Sequence, residues 1–303
     1  MQPRLSIIIA THNRYDDLHA CINALVEQPA VQECEVIVVD SASNYECKEK
    51  IEKLIEKTEF ATLHRLDEPG VARARNLGAK VSTASWFATL DDDAIPRSDW
   101  AQNALDICSS ASPDIGIVQG RVDPLWPVTP PPQIGELWRR YLSIVQRNED
   151  CDMTANHSCA GANMLVNKRA WATIRGYNSA TGRVGQDLAS GIDTDLAQRI
   201  IEQGLKIHYS NRIVVLHKIH QNRLTKEWIA QRALKEGEAQ GRICRRSDAE
   251  KAFLALKILV AVPVLYIAGM VLADQDDLLV KKQIDLGILR SLLSKGGSVH
   301  NGC

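Results

Sequence analysis

This sequence has eight cysteines in 303 residues, but it has no closely spaced pair of cysteines. The cysteines are scattered and none belongs to a C-x-x-C pair; they stand at Cys21, Cys34, Cys47, Cys108, Cys151, Cys159, Cys244 and Cys303. This spacing disfavours a disulfide framework and a zinc site. It favours reduced thiols in a cytoplasmic protein.

Strong net charge, internal repeats and low-complexity tracts are also missing. The formal net charge is -1 at pH 7, which gives no global reason to expect a nucleic-acid partner. No signal peptide is expected before the first strand, because residues 1–4 run directly into the apolar segment 5–10. The hydrophobic content of 45% is enough for one large or two modest domains.

The sequence has no unbroken apolar run of the roughly 20 residues that a membrane-spanning helix needs. Residues 252–273 carry Lys257 as their only charge, and the uncharged part, residues 258–273, contains Pro263. This stretch overlaps the basic segment 212–257, in which eleven Lys and Arg residues outnumber five Asp and Glu residues. A basic segment beside an apolar helix favours contact with an anionic cytoplasmic membrane surface, so 252–273 is predicted to be a membrane-surface or re-entrant helix. A solvated helix face, a buried or dimer-forming helix and a true span are the alternatives.

Apolar and amphipathic stretches alternate over the first hundred residues. Strands are predicted at 5–10, 36–39, 61–66 and before Asp91, and helices at 16–27, at 46–57 and after Pro69-Gly70. This alternation predicts an α/β fold with a parallel sheet and helices on both faces. Ligands bind at the carboxyl ends of such strands, where Thr11, Asp40 and Asp91 stand.

Three consecutive carboxylates end the fourth predicted strand, in the stretch TLDDDAIP at residues 89–96. Adjacent carboxylates repel one another, so three at a strand end need a compensating positive charge. A divalent cation is one candidate, because Mg²⁺ takes oxygen ligands and often holds substrate phosphates in the same shell. A solvated acidic turn that caps a helix starting near Ser98 or Asp99 is the alternative.

Four polar motifs follow the predicted strands in order. They are THNR at 11–14, VDSAS at 39–43, GVARARNLGA at 70–79 and LDDD at 90–93. Together they resemble the N-terminal half of family 2 glycosyltransferases with the GT-A fold. The resemblance implies a Rossmann-like, mostly parallel sheet flanked by helices, with a helical C-terminal extension. It implies a catalytic domain at 1–220 (nucleotide-sugar half 1–120, acceptor half 121–220) and a helical region at 221–303.

The same resemblance assigns roles to the strand-end residues. It implies donor-binding positions at Thr11, Asn13, Asp40, Arg75, Asp91 and Asp92. Asp91 is expected at the ribose and Asp93 at a cation, Mg²⁺ or Mn²⁺, while Asp92 could share either role. The chemistry agrees, because a negatively charged diphosphate needs an arginine and a metal ion.

A second carboxylate cluster contains Asp187, Asp193 and Asp195. Asp193 and Asp195 stand at the start of an amphipathic stretch that Gly204 closes, so helix capping is one explanation. The segment also resembles the Glu-Asp-x-Asp-Leu-x-x-Arg motif of the family, whose first Asp is the general base. By that resemblance Asp193 deprotonates the acceptor hydroxyl. Ile192 stands where the family has Glu, a departure that concerns the acceptor contacts, whereas Asp193 is retained.

Residues 161–171 resemble the acceptor-side segment of the family, which implies acceptor-side positions at Ala162, Asn163 and Asp195. His217 ends the β-branched run 213–216. In many relatives a histidine at this place completes the metal site, and a purely structural histidine is the alternative.

The middle of the chain is less regular. We predict a strand at 115–121, a proline-rich loop at 124–132, a helix at 133–147 and a mobile polar segment at 148–159. A long basic helix is predicted at 225–246.

These features favour an inverting, metal-dependent glycosyltransferase. It would move a sugar from a nucleotide-diphosphate sugar to a carbohydrate or lipid-linked carbohydrate, in bacterial cell-surface polysaccharide or glycolipid biosynthesis at the inner face of the membrane. A sugar nucleotidyltransferase is a rival, but it would bring a Gly-rich phosphate loop near the first strand, and residues 11–13 are not one. A second rival is a non-catalytic nucleotide-sugar-binding protein, and the only residue that favours it is Ile192.

Overall fold

The computed structural model describes residues 2–130, 134–153, 159–179, 191–243, 256, 258 and 275–293. Its strands are β1 Leu5–Thr11, β2 Cys34–Ser41, β3 Ala61–Leu66, β4 Trp86–Asp91, β5 Ala94–Pro96, β6 Ile115–Leu125, β7 Cys151–Met153, β8 Asn163–Asn167 and β9 Lys206–Lys218. Its helices are α1 Tyr15–Val26, α2 Tyr45–Ile55, α3 Val71–Val81, α4 Trp100–Ser110, α5 Glu136–Tyr141, α6 Lys168–Thr173, α7 Ile192–Glu202, α8 Lys226–Ile243 and α9 Gln275–Leu293.

Within this described part, the strands form one sheet in the order β3-β2-β1-β4-β8-β6-β9-β5, and β7 pairs with β9. The predicted alternation is confirmed in the first half, where β1 is parallel to β2 and β4, and β2 is parallel to β3. β1, β2 and β4 are almost wholly buried because helices cover both faces of the sheet. Ile7 packs into a cluster with Leu18 of α1, whereas Ile8 packs on the opposite face with Ala79 of α3.

The register of the sheet gathers the predicted functional residues at one edge. Thr11 is aligned with Asp40, and Ala10 with Asp91. β5 follows the acidic stretch directly and pairs antiparallel with β9, so that Ala94 lies opposite His217. The Lys218 amide also donates to the Asp93 carbonyl oxygen at 2.9 Å. Backbone pairing therefore places His217 next to the acidic stretch, although the two are far apart in the sequence.

Helix α3 lies unusually close to the sheet. A Cβ atom at Gly78 would lie 2.5 Å from Ile8 Cγ2, a distance that packed atoms do not tolerate. The glycine therefore lets the α3 backbone approach β1 closely. This contact fixes the helix that carries Arg75 at the carboxyl edge of the sheet.

Three predictions for the middle of the chain need correction. The predicted strand 115–121 continues to Leu125 as β6, because its pairing with β9 runs on through Pro124. The helix predicted at 133–147 is shorter, since α5 covers only Glu136–Tyr141 and the positive φ of 61° at Ser143 ends it. The segment predicted to be mobile contains β7, which is hydrogen-bonded to β9 over Cys151–Met153.

The described residues fall into two compact units. The first contains those within 1–127, 143–186 and 192–219, and the second those within 128–142, 187–191 and 220–303. In the second unit α8 and α9 cross backbone to backbone, since a Cβ at Gly237 would lie 2.0 Å from the Ile284 carbonyl oxygen. The Leu137 amide in α5 donates to Asp277 of α9 at 3.0 Å. The domain boundary predicted after residue 220 stays a prediction.

The apolar stretch 252–273 lies outside the described residues, apart from Leu256 and Ile258. Among the helices that the structure describes, none is both long enough and apolar enough to span a membrane. The six described cysteines are free thiols.

Candidate active site

The acidic stretch after β4 is not a solvated turn. Asp92 and Asp93 are only 5% and 3% exposed, and only Asp91 is partly open to solvent. α4 begins at Trp100, and Asp99 at its N-terminus makes no capping hydrogen bond with its side chain. Two buried carboxylates in sequence need compensating charge and hydrogen bonds, and the fold supplies both.

Arg14 supplies that charge from the loop after β1. Its Nη1 donates to Asp93 Oδ2 at 2.7 Å and to Asp92 Oδ1 at 3.1 Å. The Thr11 hydroxyl donates to the other oxygen of Asp92 at 2.8 Å. Burial and the neighbouring Asp93 charge raise the pKa of Asp92 to about 7, against the opposing effect of Arg14. The site therefore holds more acid than one arginine neutralises, which favours binding of a further cation.

Asp91, Asp93 and His217 form a cluster that fits such a cation. Each offers one ligand atom, and the three atoms lie within 4.8 Å of one another. His217 is 2% exposed, and its Nε2 lies 3.2 Å from Asp93 Oδ1. Two carboxylates and an imidazole are ligands that divalent metal ions accept. The donor set thus fits a divalent metal, which the sequence predicted at Asp93 and His217, and it adds Asp91, which was expected at the ribose.

Arg75 connects this cluster to the second acidic segment. Its Nη2 donates to Asp91 Oδ1 at 2.7 Å, and its Nη1 donates to Asp193 Oδ1 at 2.6 Å. The Gly161 amide donates to the other Asp193 oxygen at 3.0 Å. Burial raises the pKa of Asp193, the Arg75 charge opposes the rise, and the Asp91 charge adds to it. Asp193 stands in the first turn of α7, yet these bonds direct its carboxylate to α3 and to Gly161, which capping alone does not explain.

The loops after β1 and β2 form a third polar group. Asp40 is buried at the end of β2, where it pairs with Arg65 of β3 and accepts from the Ser43 amide at 3.0 Å. Asn13 has a positive φ of 55°, and its backbone amide donates to the Ser43 hydroxyl at 2.8 Å. Asn13 Oδ1 in turn accepts from the Asn44 amide at the start of α2. These bonds hold the two loops together at the sheet edge.

The predicted acceptor-side residues are placed differently. Ala162 and Asn163 are buried, and the Asn163 amide group donates to the carbonyl oxygens of Arg121 and Ile213. Its side chain therefore ties strands together, and the acceptor-side role of these residues stays a prediction. Asp195 pairs with Arg199 one turn further along α7 at 2.7 Å. Asp187 lies outside the described residues.

Three residues of this site were not predicted from the sequence. Arg14 belongs to the first motif and Gly161 opens the acceptor-side segment 161–171, but neither was given a role, and Arg65 was not singled out. A charge argument could have found Arg14, because three adjacent carboxylates need an arginine nearby. No local signal gives the partners of Arg65 or Gly161, because strand pairing and loop packing decide them.

The sheet with its acidic carboxyl edge agrees with the GT-A fold, and comparison with known proteins gives the family. Residues 6–174, more than half of the chain, match the model of Glycosyl transferase family 2, and the chain belongs to this family. The predicted family and fold class are thereby confirmed.

The curated relatives have low sequence identity to this chain, but the alignments cover most of it. The chain is 26% identical over 268 residues to a glucosyl-dolichyl phosphate glucuronosyltransferase of Haloferax volcanii, covering 86% of this chain and 84% of that protein. It is 27% identical over 248 residues to a pre-mycofactocin glycosyltransferase of Mycobacterium tuberculosis, covering 80% of this chain and 48% of that protein. This chain thus spans about half the length of the second relative.

A solved structure shares the fold. The mannosyltransferase PcManGT from Pyrobaculum calidifontis, in complex with GDP-Man and Mn²⁺, superposes with a TM-score of 0.64 at 18% identity. The match covers 98% of this chain and 89% of that chain. At this identity the likeness shows the fold alone.

Proposed function

We propose that this glycosyltransferase is an inverting enzyme that uses a divalent metal ion and a nucleotide-diphosphate sugar. The observation that carries the proposal is the Arg75 bridge between Asp91 and Asp193. Through this bridge a partly buried carboxylate that suits a general base lies beside a cluster that suits a metal ion. A displacement at a sugar carbon needs a base for the attacking hydroxyl and positive charge for the leaving group, and this site would provide both.

Asp193 serves as the base in this proposal. A hydroxyl of the acceptor attacks the sugar C1 from the face opposite the nucleotide, and the hydroxyl proton passes to the Asp193 carboxylate. The raised pKa of this partly buried carboxyl makes it a stronger base than an exposed aspartate. Each carboxylate oxygen has two lone pairs, so the bonds from Arg75 and Gly161 leave room for that proton.

Asp91, Asp93 and His217 are the residues that would hold the metal ion. When bound, such an ion would neutralise negative charge on the diphosphate leaving group. Carboxylates suit Mg²⁺ and Mn²⁺ alike, whereas imidazole is a ligand of transition metals, so the set favours Mn²⁺ over Mg²⁺. The Mn²⁺ in the mannosyltransferase with the similar fold supports this choice.

The loops after β1 and β2 are the proposed nucleotide site. Asp40, Asn13 and Thr11 present oxygen and amide groups at the carboxyl edge of the parallel strands, where ligands of such sheets bind. Asp40 and Arg65 together offer acceptors and donors of the kind that read the polar edge of a base.

A lipid-linked carbohydrate is the proposed acceptor, in cell-surface polysaccharide or glycolipid synthesis at the inner face of a bacterial membrane. The name of the Haloferax volcanii relative places a glucosyl-dolichyl phosphate in its reaction, which supports a lipid-linked acceptor. The excess of eleven basic over five acidic residues in 212–257 would attract the protein to an anionic membrane surface.

Radiolabelled nucleotide sugars test the proposal directly. After a thermal-shift panel of nucleoside diphosphates selects the nucleotide, the matching sugar donor is incubated with the protein and Mn²⁺ or EDTA. Slow release of free sugar and nucleoside diphosphate, dependent on Mn²⁺, is expected. Formation of a nucleotide sugar from a nucleoside triphosphate and a sugar phosphate would instead identify a nucleotidyltransferase. Binding without any release, even with an acceptor lipid extract, would identify a non-catalytic binding protein.

A further inference from the structure

We propose that Arg75 is a positioning residue for Asp193, rather than a direct ligand of the nucleotide, and that Gly161 shares this task. This inference rests on the proposed function, in which Asp193 is the base. It reassigns Arg75, which the family resemblance places at the nucleotide.

The guanidinium of Arg75 is enclosed. The residue is 3% exposed, and its two terminal nitrogens donate to Asp193 and Asp91 at 2.6 and 2.7 Å. The Tyr177 ring lies against the guanidinium, with Cζ 5.8 Å from the ring centroid. With its side chain 4% exposed and both terminal nitrogens on carboxylates, Arg75 offers little access to a bound donor, and a move away from Asp193 would leave that partly buried carboxylate without its charged partner.

The two oxygens of Asp193 are oriented from two sides. Arg75 donates to Oδ1, and the Gly161 amide donates to Oδ2 at 3.0 Å. A carboxylate held at both oxygens keeps one orientation, which a base needs to meet the acceptor hydroxyl.

Gly161 is itself fitted to Arg75. A Cβ atom at Gly161 would lie 2.3 Å from Nη2, 2.4 Å from Nη1 and 2.5 Å from Cζ of Arg75. Any side chain there would push the guanidinium off its carboxylates. The absence of a side chain at this position therefore keeps the bridge intact, and Gly161→Ala disturbs Asp193 without changing a charged residue.

Two substitutions probe this arrangement. Arg75→Lys keeps the charge but offers one point contact where the guanidinium reaches two carboxylates. We expect kcat to fall by about 10²-fold, as for a catalytic group misplaced by about 1 Å. The Kd of the nucleoside diphosphate, measured by calorimetry, should change by less than about threefold. Gly161→Ala should show the same split with a smaller loss of kcat.

A double-mutant cycle separates positioning from other effects. If Arg75 acts through Asp193, Arg75→Lys in the Asp193→Asn background should lower kcat by less than about threefold. Arg121→Lys is the matched control, because Arg121 pairs with Asp123 at 2.7 Å and takes no part in the site. It should leave kcat and Kd at wild-type values. Thermal unfolding of every variant establishes that it is folded.

The possible failures are distinguishable. Wild-type turnover in Asp193→Asn alone would overturn the proposed base, and this inference with it. An inactive Asp193→Asn with unchanged kcat and a weakened nucleotide Kd in Arg75→Lys would overturn only the inference. An equal loss from Arg75→Lys in both backgrounds would overturn it too.

Discussion

Arg14 donates to Asp93 at 2.7 Å, so the acidic stretch after β4 carries its own positive partner. The same nitrogen also reaches Asp92 at 3.1 Å. Arg14 comes from the first motif and Asp93 from the fourth, and the parallel pairing of β1 with β4 brings them together. The motifs are thus parts of one electrostatic unit, and the first prediction tests it.

Arg14→Met should destabilise the metal-free protein by about 1–3 kcal/mol, because two buried carboxylates lose a charged donor. Mn²⁺ should restore more stability to this variant than to wild type, since the cation replaces the lost charge. Thermal unfolding in EDTA and in Mn²⁺ measures both effects. The control is Arg4→Met, which removes an exposed pair with Glu33. Identical melting temperatures of Arg14→Met and Arg4→Met would contradict the prediction.

Asp93→Ala should abolish the metal dependence of nucleotide binding, because it removes a ligand from the three-residue cluster. Calorimetry with and without Mn²⁺ should then give one affinity, weaker than that of wild type with Mn²⁺. Asp152→Ala, which changes a mostly exposed carboxylate, serves as the control. A variant that keeps the full Mn²⁺ effect would move the metal site elsewhere.

Asp193→Asn should lower turnover by about 10²–10⁴-fold and leave donor affinity nearly unchanged. Asparagine keeps the size of the side chain but cannot accept the acceptor proton as a base. Steady-state rates and donor binding measured on the same preparation check both parts. Turnover at the wild-type rate would assign the base to another carboxylate, and Asp195 and Asp187 would be tested next.

Gly78→Ala should destabilise the protein by about 1–3 kcal/mol, because its Cβ would overlap the buried Ile8 side chain. Gly204→Ala is a useful comparison, since Gly204 has a positive φ of 78° but nothing within 4 Å of the added carbon. That change carries only the backbone cost of a left-handed conformation, about 1–2 kcal/mol. Chemical denaturation that ranks Gly204→Ala as the more damaging change would show that α3 does not need its close approach to β1.

The protein should sediment with anionic vesicles, and less at high salt. Each Lys or Arg near the membrane contributes roughly 1 kcal/mol, and salt screens that part. Truncation before residue 252 would remove α9, which is packed on α8, so Arg245→Gln with Arg246→Gln is the better variant. It should bind more weakly with donor hydrolysis unchanged. Wild-type protein that stays free of vesicles at low salt would assign residues 252–273 to the core or to a dimer.

The fold class could be predicted because hydrophobic patterns are local. The runs at residues 7–10 and 36–39 are continuously apolar, a pattern typical of strands that are covered on both faces. The helix at 133–147 was wrong in length because Ser143 adopts a positive φ that its sequence does not announce. β7 was missed because three residues carry too little pattern, and its pairing with β9 decides it.

The sequence by itself determined which carboxylates are close to strand ends and hence that Asp40, Asp91 and Asp93 share one edge of the sheet. The tertiary structure alone decided how they are neutralised. Arg14, Arg65, Arg75 and Gly161 find their partners across many residues of sequence, through strand register and loop packing. Hydrophobic periodicity is a property of neighbouring residues, whereas an ion pair depends on the distance between side chains that only the folded chain brings together.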